Sequence, residues 1–194
     1  MRVEDLKKFS NICTLYTDRL KLRALSRADL NDVYEYAKDP AVSEYLLWSP
    51  HESRGQTMSY LTLVEKKYRR YQFYDWGIEY QNEIIGTCGF TSFSIDNNRA
   101  EIGYVLRSDC WGKGIAAEAL RRVISYGFDE LLLNRIEGKY MSENERSLSV
   151  MKKCGMHFEG IHKESMLVKG KYRDIGIAAI TRSEYICAKK LGIF

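Results

Sequence analysis

No stretch of the 194 residues approaches the roughly 20 uninterrupted apolar residues that a membrane-spanning helix needs. The N-terminal stretch, Met1 to Thr14, alternates charge and apolarity and lacks the apolar centre of a signal peptide. A cytoplasmic location is therefore expected. Paired cysteines are missing too. The five cysteines (Cys13, Cys88, Cys110, Cys154 and Cys187) are odd in number and widely scattered, with no C-x-x-C and no histidine at metal-binding spacing. This argues against a disulfide framework and a zinc site, and predicts reduced thiols sitting mostly in the core. The three histidines, His51, His157 and His162, form no catalytic pattern with Ser or Asp. A large excess of either charge is missing as well. A net charge of +4 is too mild for a nucleic-acid-binding face, although it suits a multiply phosphorylated cofactor. The densest basic cluster, Lys66, Lys67, Arg69 and Arg70, reads as the solvated face of a helix.

What remains is ordinary globular material, 45% hydrophobic and 29% charged. Its length suits one domain over residues 1–194, with no repeat or low-complexity linker. Leu20 to Ala24 alternates like a half-buried strand. Ser26 reads as an N-cap, followed by an apolar stripe at Leu30, Val33, Tyr34 and Ala37 and a stop at Asp39, before Pro40. A second helix is expected from about Thr57 to Tyr71. Trp76 to Glu79 and Glu83 to Ser94 read as strands around a turn at Gln81 and Asn82. Asp96, Asn97 and Asn98 signal another turn. Then come a strand at Ala100 to Leu106, a loop at Arg107 to Lys113, and a long amphipathic helix from about Gly114 to Leu131. A strand at Arg135 to Tyr140, a helix at Asn144 to Lys153 and a hairpin of Met156 to Val168 with Tyr172 to Ala179 complete a mixed α/β domain.

The loop after Leu106 carries the chemistry. Gly112 and Gly114 lie where a strand exit turns into a long helix. The first turn of a helix presents unpaired N–H groups and a partial positive charge, and glycine allows a ligand close to the backbone. Together these suit a phosphate or diphosphate. A Walker A loop requires Ser or Thr after its lysine, but Gly114 follows Lys113. A dinucleotide fingerprint fits Gly112, Gly114 and Ala117 superficially. That fingerprint belongs directly at a strand end, and here Arg107 to Trp111 intervene.

A third design fits better. Trp111-Gly112-Lys113-Gly114-Ile115-Ala116 resembles motif A of the GNAT acetyltransferase superfamily, Gln/Arg-x-x-Gly-x-Gly/Ala, with Trp111 in place of Gln/Arg. Glu118-Ala119-Leu120 after it, Asn144 and Ser147 in an Asn-x-x-Ser start, and Lys153-Cys154-Gly155-Met156 are similar to the branch that acetylates the N-termini of ribosomal proteins. Met156 stands where that branch has an aromatic. Arg19 to Arg23 resembles its first strand, so the likeness spans about residues 17–182.

The resemblance implies a GNAT fold, with a central, mostly antiparallel twisted sheet flanked by helices. It also implies direct transfer of an acetyl group from acetyl-CoA to a primary amine through a tetrahedral intermediate, without a metal. In that reading the amides of Gly112, Lys113, Gly114, Ile115, Ala116 and Ala117 hold the diphosphate beside Trp111. The strand of Tyr104, Val105 and Leu106 pairs with the pantetheine arm, and one of its amides polarises the thioester. Asn144 bonds that arm, or simply caps its helix. Ser147, one turn along, protonates the leaving thiolate, or is simply a cap-like or solvated hydroxyl. Glu101 is the expected base, with a salt bridge as its alternative role, and Glu79 is the second candidate. Tyr45, Trp48 and His51 fall in the acceptor-side region, where aromatic core is the plainer reading. The acceptor implied is a protein N-terminal α-amine. A polyamine or antibiotic amine and a non-catalytic acyl-CoA sensor are the alternatives. No membrane or nucleic-acid partner is expected, and a homodimer is left open.

Overall fold

The computed structural model describes residues 12–69 and 74–194. Arg70, Tyr71 and most of the Met1–Thr14 stretch thus lie outside the described residues.

Eight strands form one sheet: β1 (Leu15–Tyr16), β2 (Lys21–Arg23), β3 (Tyr74–Tyr80), β4 (Glu83–Ser94), β5 (Arg99–Leu106), β6 (Arg135–Met141), β7 (His157–Val168) and β8 (Lys171–Thr181), in the order β1-β2-β3-β4-β5-β6-β8-β7. Every neighbouring pair is antiparallel except β5 with β6. That parallel step needs a crossover, and the long helix α4 (Ile115–Asp129) supplies it. The remaining helices are α1 (Leu30–Ala37), α2 (Pro40–Ser43), α3 (Arg54–Arg69), α5 (Glu145–Lys153) and α6 (Arg182–Lys190).

Tight turns follow their residues. Gln81 and Asn82 join β3 to β4 with φ of 52° and 66°, and Lys169 and Gly170 join β7 to β8 with φ of 49° and 78°. Two consecutive positive φ values match the twist of a two-residue hairpin, and Asn and Gly tolerate them best. Pro40 does more than stop a helix. Asp39 caps Ala41 N–H at 2.9 Å and Pro40 opens the one-turn α2, because proline's missing N–H costs nothing at a first helical position.

Side chains alternate across the sheet and bury two cores. Trp76, Ile78, Cys88, Phe90, Ile102 and Leu106 pack against Leu120, Val123 and Ile124 of α4. On the other face Ile84 and Val105 pack under α1 and α3 with Leu25, Val33, Tyr36, Leu61 and Val64. Each such aliphatic side chain contributes about 1.5–3 kcal/mol when fully buried. The cysteines divide between the two environments: Cys88, Cys110 and Cys154 are buried, Cys13 and Cys187 exposed, and all five are free thiols. No helix of the described residues is long and apolar enough to cross a membrane.

Candidate active site

The sheet is forked. β5 pairs with β6 only from Arg99 to Ile102, against Arg135 to Gly138. Beyond that point β6 stays with β8 through Met141, while β5 continues along β4 through Leu106. Gly103 to Leu106 therefore has one strand edge without a partner strand, and its alternate main-chain groups face the gap. An extended ligand arm can pair there as a strand would.

The loop leaving β5 ends at the open fork. Trp111 donates from Nε1 to Leu106 O at 2.8 Å, folding the loop back on its strand. Gly112 and Gly114 take φ of 74° and 75°, a region that costs other residues about 1–2 kcal/mol. A Cβ at Gly112 would meet nothing within 4 Å. The space above the loop is open, and backbone conformation rather than crowding requires glycine. Glu118 N–H closes the first α4 bond, to Gly114 O at 3.1 Å. The amides of Ile115, Ala116 and Ala117 thus lack an intrahelical partner and carry the positive end of the helix dipole.

A second network fixes this helix end. Glu118 accepts from Thr17 Oγ1 at 2.5 Å, Arg19 N at 3.0 Å and Arg19 Nε at 2.7 Å. Arg19 also donates to Lys113 O at 3.2 Å. Burial works against the charge on Glu118, yet these donors hold its carboxyl below the ordinary value. The β1–β2 turn thereby braces the cradle. Arg146 of α5 lies 4.4 Å over the Trp111 ring, so a guanidinium reaches the position where motif A has Gln or Arg, but from another element.

Asn144 and Ser147 come together at the start of α5. Asn144 Oδ1 accepts from Ser147 N at 3.1 Å, which is the capping role. Its Nδ2 protons are not used in that cap. Ser147 also meets Tyr104 of β5, whose phenol oxygen lies 2.9 Å from Ser147 Oγ and 2.8 Å from Ser147 O.

The carboxylates differ in their partners. Glu101 bonds Lys139 Nζ at 2.5 Å and is 23% exposed, so the salt bridge is realised. Glu79 is held by Arg23 Nε at 2.5 Å and Lys21 Nζ at 3.3 Å. The Arg23 hydrogen bond, more than any other contact, keeps it below its ordinary pKa. A third carboxylate stands apart. Asp75 pairs with Gly89, and Gly89 with Gly103, the first residue past the fork. Paired residues share a face, and the two between Asp75 and the gap have no side chains. Two strand spacings, about 10 Å, separate them. Burial pushes the Asp75 carboxyl up to about 7, against a hydrogen bond from Thr87 and the charge of Lys67. No motif marks it; only the strand pairing puts it on the same face as the fork.

A strap from α1 to α3 closes the same face. Ser108 Oγ donates to Asp39 at 2.6 Å, and Lys169 Nζ donates to Ser43 O at 2.6 Å. Tyr45 packs against Met141, Val168 and Ile175 beside the gap, while Trp48 joins the α1–α3 core. His51 bonds Thr57 at 2.8 Å and is held low by burial. Burial raises the Cys110 thiol above its ordinary value.

The profile of the family described as "Acetyltransferase (GNAT) domain" matches residues 19–157, which include the cradle, the fork and the α5 cap. The chain belongs to the GNAT acetyltransferase family. It is an acyltransferase, in a family that uses acetyl-CoA. It is 34% identical over 177 residues to "Uncharacterized N-acetyltransferase p20" of Bacillus licheniformis, covering 89% of this chain and 98% of that protein. Spermidine N(1)-acetyltransferase of Escherichia coli strain K12 is 25% identical over 171 residues, 88% of this chain and 90% of that one. The fold is shared with RimL, the ribosomal L7/L12 alpha-N-protein acetyltransferase solved with coenzyme A, at a TM-score of 0.77 and 24% identity over 87% of this chain and 98% of that one. Among the described residues no group of three His, Cys, Asp or Glu side chains could hold a metal ion.

Proposed function

We propose that this GNAT enzyme transfers the acetyl group of acetyl-CoA to the α-amine at a protein N-terminus, and that Asp75 is the base. The diphosphate lies on the amides of Gly112 to Ala117 beside Trp111, and the pantetheine arm runs along Tyr104, Val105 and Leu106 in the gap of the fork. Asn144 Nδ2 is a donor for that arm, and Ser147 faces the departing thiol. An amide of the open β5 edge, aligned on the thioester carbonyl, stabilises the oxyanion as the amine attacks.

The choice of acceptor rests on burial, which raises the Asp75 carboxyl to about 7. An ammonium must lose a proton before it can attack. For an α-amine, whose ordinary pKa is about 8, handing it to Asp75 is uphill by roughly one unit, about 1.4 kcal/mol. For an aliphatic amine of pKa about 10.4 the same step costs roughly 4.6 kcal/mol. Glu101, ion-paired with Lys139 on the same face, lines the route of the acceptor. The likeness to RimL points the same way, whereas the spermidine enzyme points to a polyamine.

The test is thiol release from acetyl-CoA with peptides bearing free N-termini, with the same peptides blocked at the N-terminus, and with spermidine. Turnover with free N-termini alone supports the reading. Turnover with spermidine alone transfers the assignment to a polyamine, and cofactor binding without turnover of any amine makes the protein a sensor.

A further inference from the structure

Tyr104 lies two residues beyond Ile102 on β5, so its ring projects from the same face of the sheet, toward the start of α5 rather than toward the strap. It meets Ser147 twice, at 2.8 Å to the main-chain oxygen and 2.9 Å to Oγ. A phenol has one proton and the carbonyl can only accept, so the pair has two hydrogen-bonding states. In one, Tyr104 donates to Ser147 O and Ser147 Oγ donates to the phenol, and both protons are spent inside the pair. In the other, Tyr104 donates to Ser147 Oγ and the serine proton is free to point into the gap. Every other handle on Ser147 is fixed, because Asn144 Oδ1 takes its main-chain N–H at 3.1 Å. Burial raises the Tyr104 phenol far above its ordinary value, the serine bond opposing only in part. Tyr104 therefore keeps its proton through the reaction.

We infer that Tyr104 is a positioning residue for the leaving group: its phenol turns the Ser147 hydroxyl outward, making Ser147 a hydrogen-bond donor to the thioester sulfur as the carbon–sulfur bond breaks. This rests on the reading of Ser147 given above. The new carbon–nitrogen bond has by then formed, its nitrogen gives its remaining excess proton to solvent, and the electron pair of the breaking bond goes to sulfur. The thiolate leaves with the serine hydrogen bond and takes its proton from solvent. Ser147 and Tyr104 both keep theirs. A thiol is a stronger acid than a serine hydroxyl, so a hydrogen bond to the thiolate is the favoured contact and full proton transfer from serine is not. One turn further along α5, Val150 and Met151 offer the Ser147 hydroxyl no hydrogen-bonding side chain.

The test is a double-mutant cycle on the full chain, with Tyr104→Phe, Ser147→Ala and both together. The readout is thiol release with acetyl-CoA and whichever probe amine turns over, a peptide with a free N-terminus or spermidine. A hydrogen bond to a developing charge makes Ser147→Ala slower in kcat by about 10- to 100-fold. Tyr104→Phe keeps the ring and is expected to lower kcat about tenfold with KM for acetyl-CoA within about twofold, and to add nothing in the Ser147→Ala background. Ser147→Thr, which retains a hydroxyl, should keep the sensitivity to Tyr104→Phe. A packing role for Tyr104 would instead shift the melting temperature and KM and give losses that multiply. That result, or a Tyr104→Phe enzyme of unchanged kcat beside a slow Ser147→Ala, overturns the positioning role alone. An undiminished kcat in Ser147→Ala overturns the Ser147 reading and this inference with it.

Discussion

Replacing Asp75 by Asn removes a titrating group from the acceptor face while nearly preserving its shape and its bond to Thr87. If Asp75 is the base, it must be ionised before it can take the proton of the incoming ammonium. With its carboxyl near 7, the ionised fraction climbs roughly tenfold between about pH 6 and pH 8. The wild-type kcat/KM for the amine should therefore rise with unit slope and bend near pH 7. A positioned base contributes about 10²- to 10⁴-fold. Asp75→Asn should lose at least about 10²-fold at neutral pH, and its bend should move to the amine's own pKa, about 8 for an α-amine. The assay is thiol release across the pH range with a peptide acceptor, alongside the melting temperature to confirm folding. A bend that stays near 7 in Asp75→Asn but disappears in Glu101→Gln would refute the assignment and return the base role to Glu101.

Three further outcomes follow from the cradle. Gly114→Ala places a side chain at φ 75° with the nearest atom, Arg19 Nη2, 3.7 Å away, so the penalty is conformational, about 1–2 kcal/mol; it should appear as a lower melting temperature and weaker coenzyme A binding by calorimetry. Glu118→Gln breaks the tie to Thr17 and Arg19. Because Arg19 is 42% exposed, solvent screening limits the loss to about 1 kcal/mol. The Glu118 carboxyl is depressed in the folded state, so its contribution is present above the unfolded value of about 4.3 and fades as pH falls through the folded one. Chemical denaturation of wild type and variant should thus converge as pH falls below the unfolded value. Trp111→Ala removes the bond to Leu106 O and the stacked Arg146, and should raise the Kd for coenzyme A by more than Arg146→Ala does alone.

The strands and the cradle were legible because local chemistry dictates them. Gln81-Asn82 and Lys169-Gly170 announce hairpins, and Gly112 and Gly114 mark a positive-φ turn ahead of an amphipathic helix. Element bounds moved little: α4 begins at Ile115 and ends at Asp129, and Asn144 stands outside α5 as its cap. The helix expected from Ser26 to Asp39 proved to be a 3-10 turn, Arg27–Asp29, followed by α1, with Ser26 and Asp29 forming a reciprocal cap. Helix α6 went unread, although Thr181 and Glu184 form the same kind of cap.

What sequence could not convey is pairing across the sheet. Glu101 resembles a base by its neighbours in the chain, but Lys139, which binds it, lies on the next strand. Asp75 shares a face with the fork only through the pairing of Gly89 and Gly103 on two other strands, and Tyr104 finds Ser147 only because β5 leaves β6 after Ile102. Trp111 departs from the Gln/Arg pattern, and the guanidinium that compensates comes from Arg146, on a helix that begins some thirty residues later.

A crystal structure of this chain with coenzyme A tests the central claim most directly. The account predicts the diphosphate within hydrogen-bonding distance of the main-chain N–H groups of Gly112 to Ala117, with the pantetheine arm in the gap between β5 and β6. A diphosphate held by side chains elsewhere, with those amides facing solvent, would contradict it.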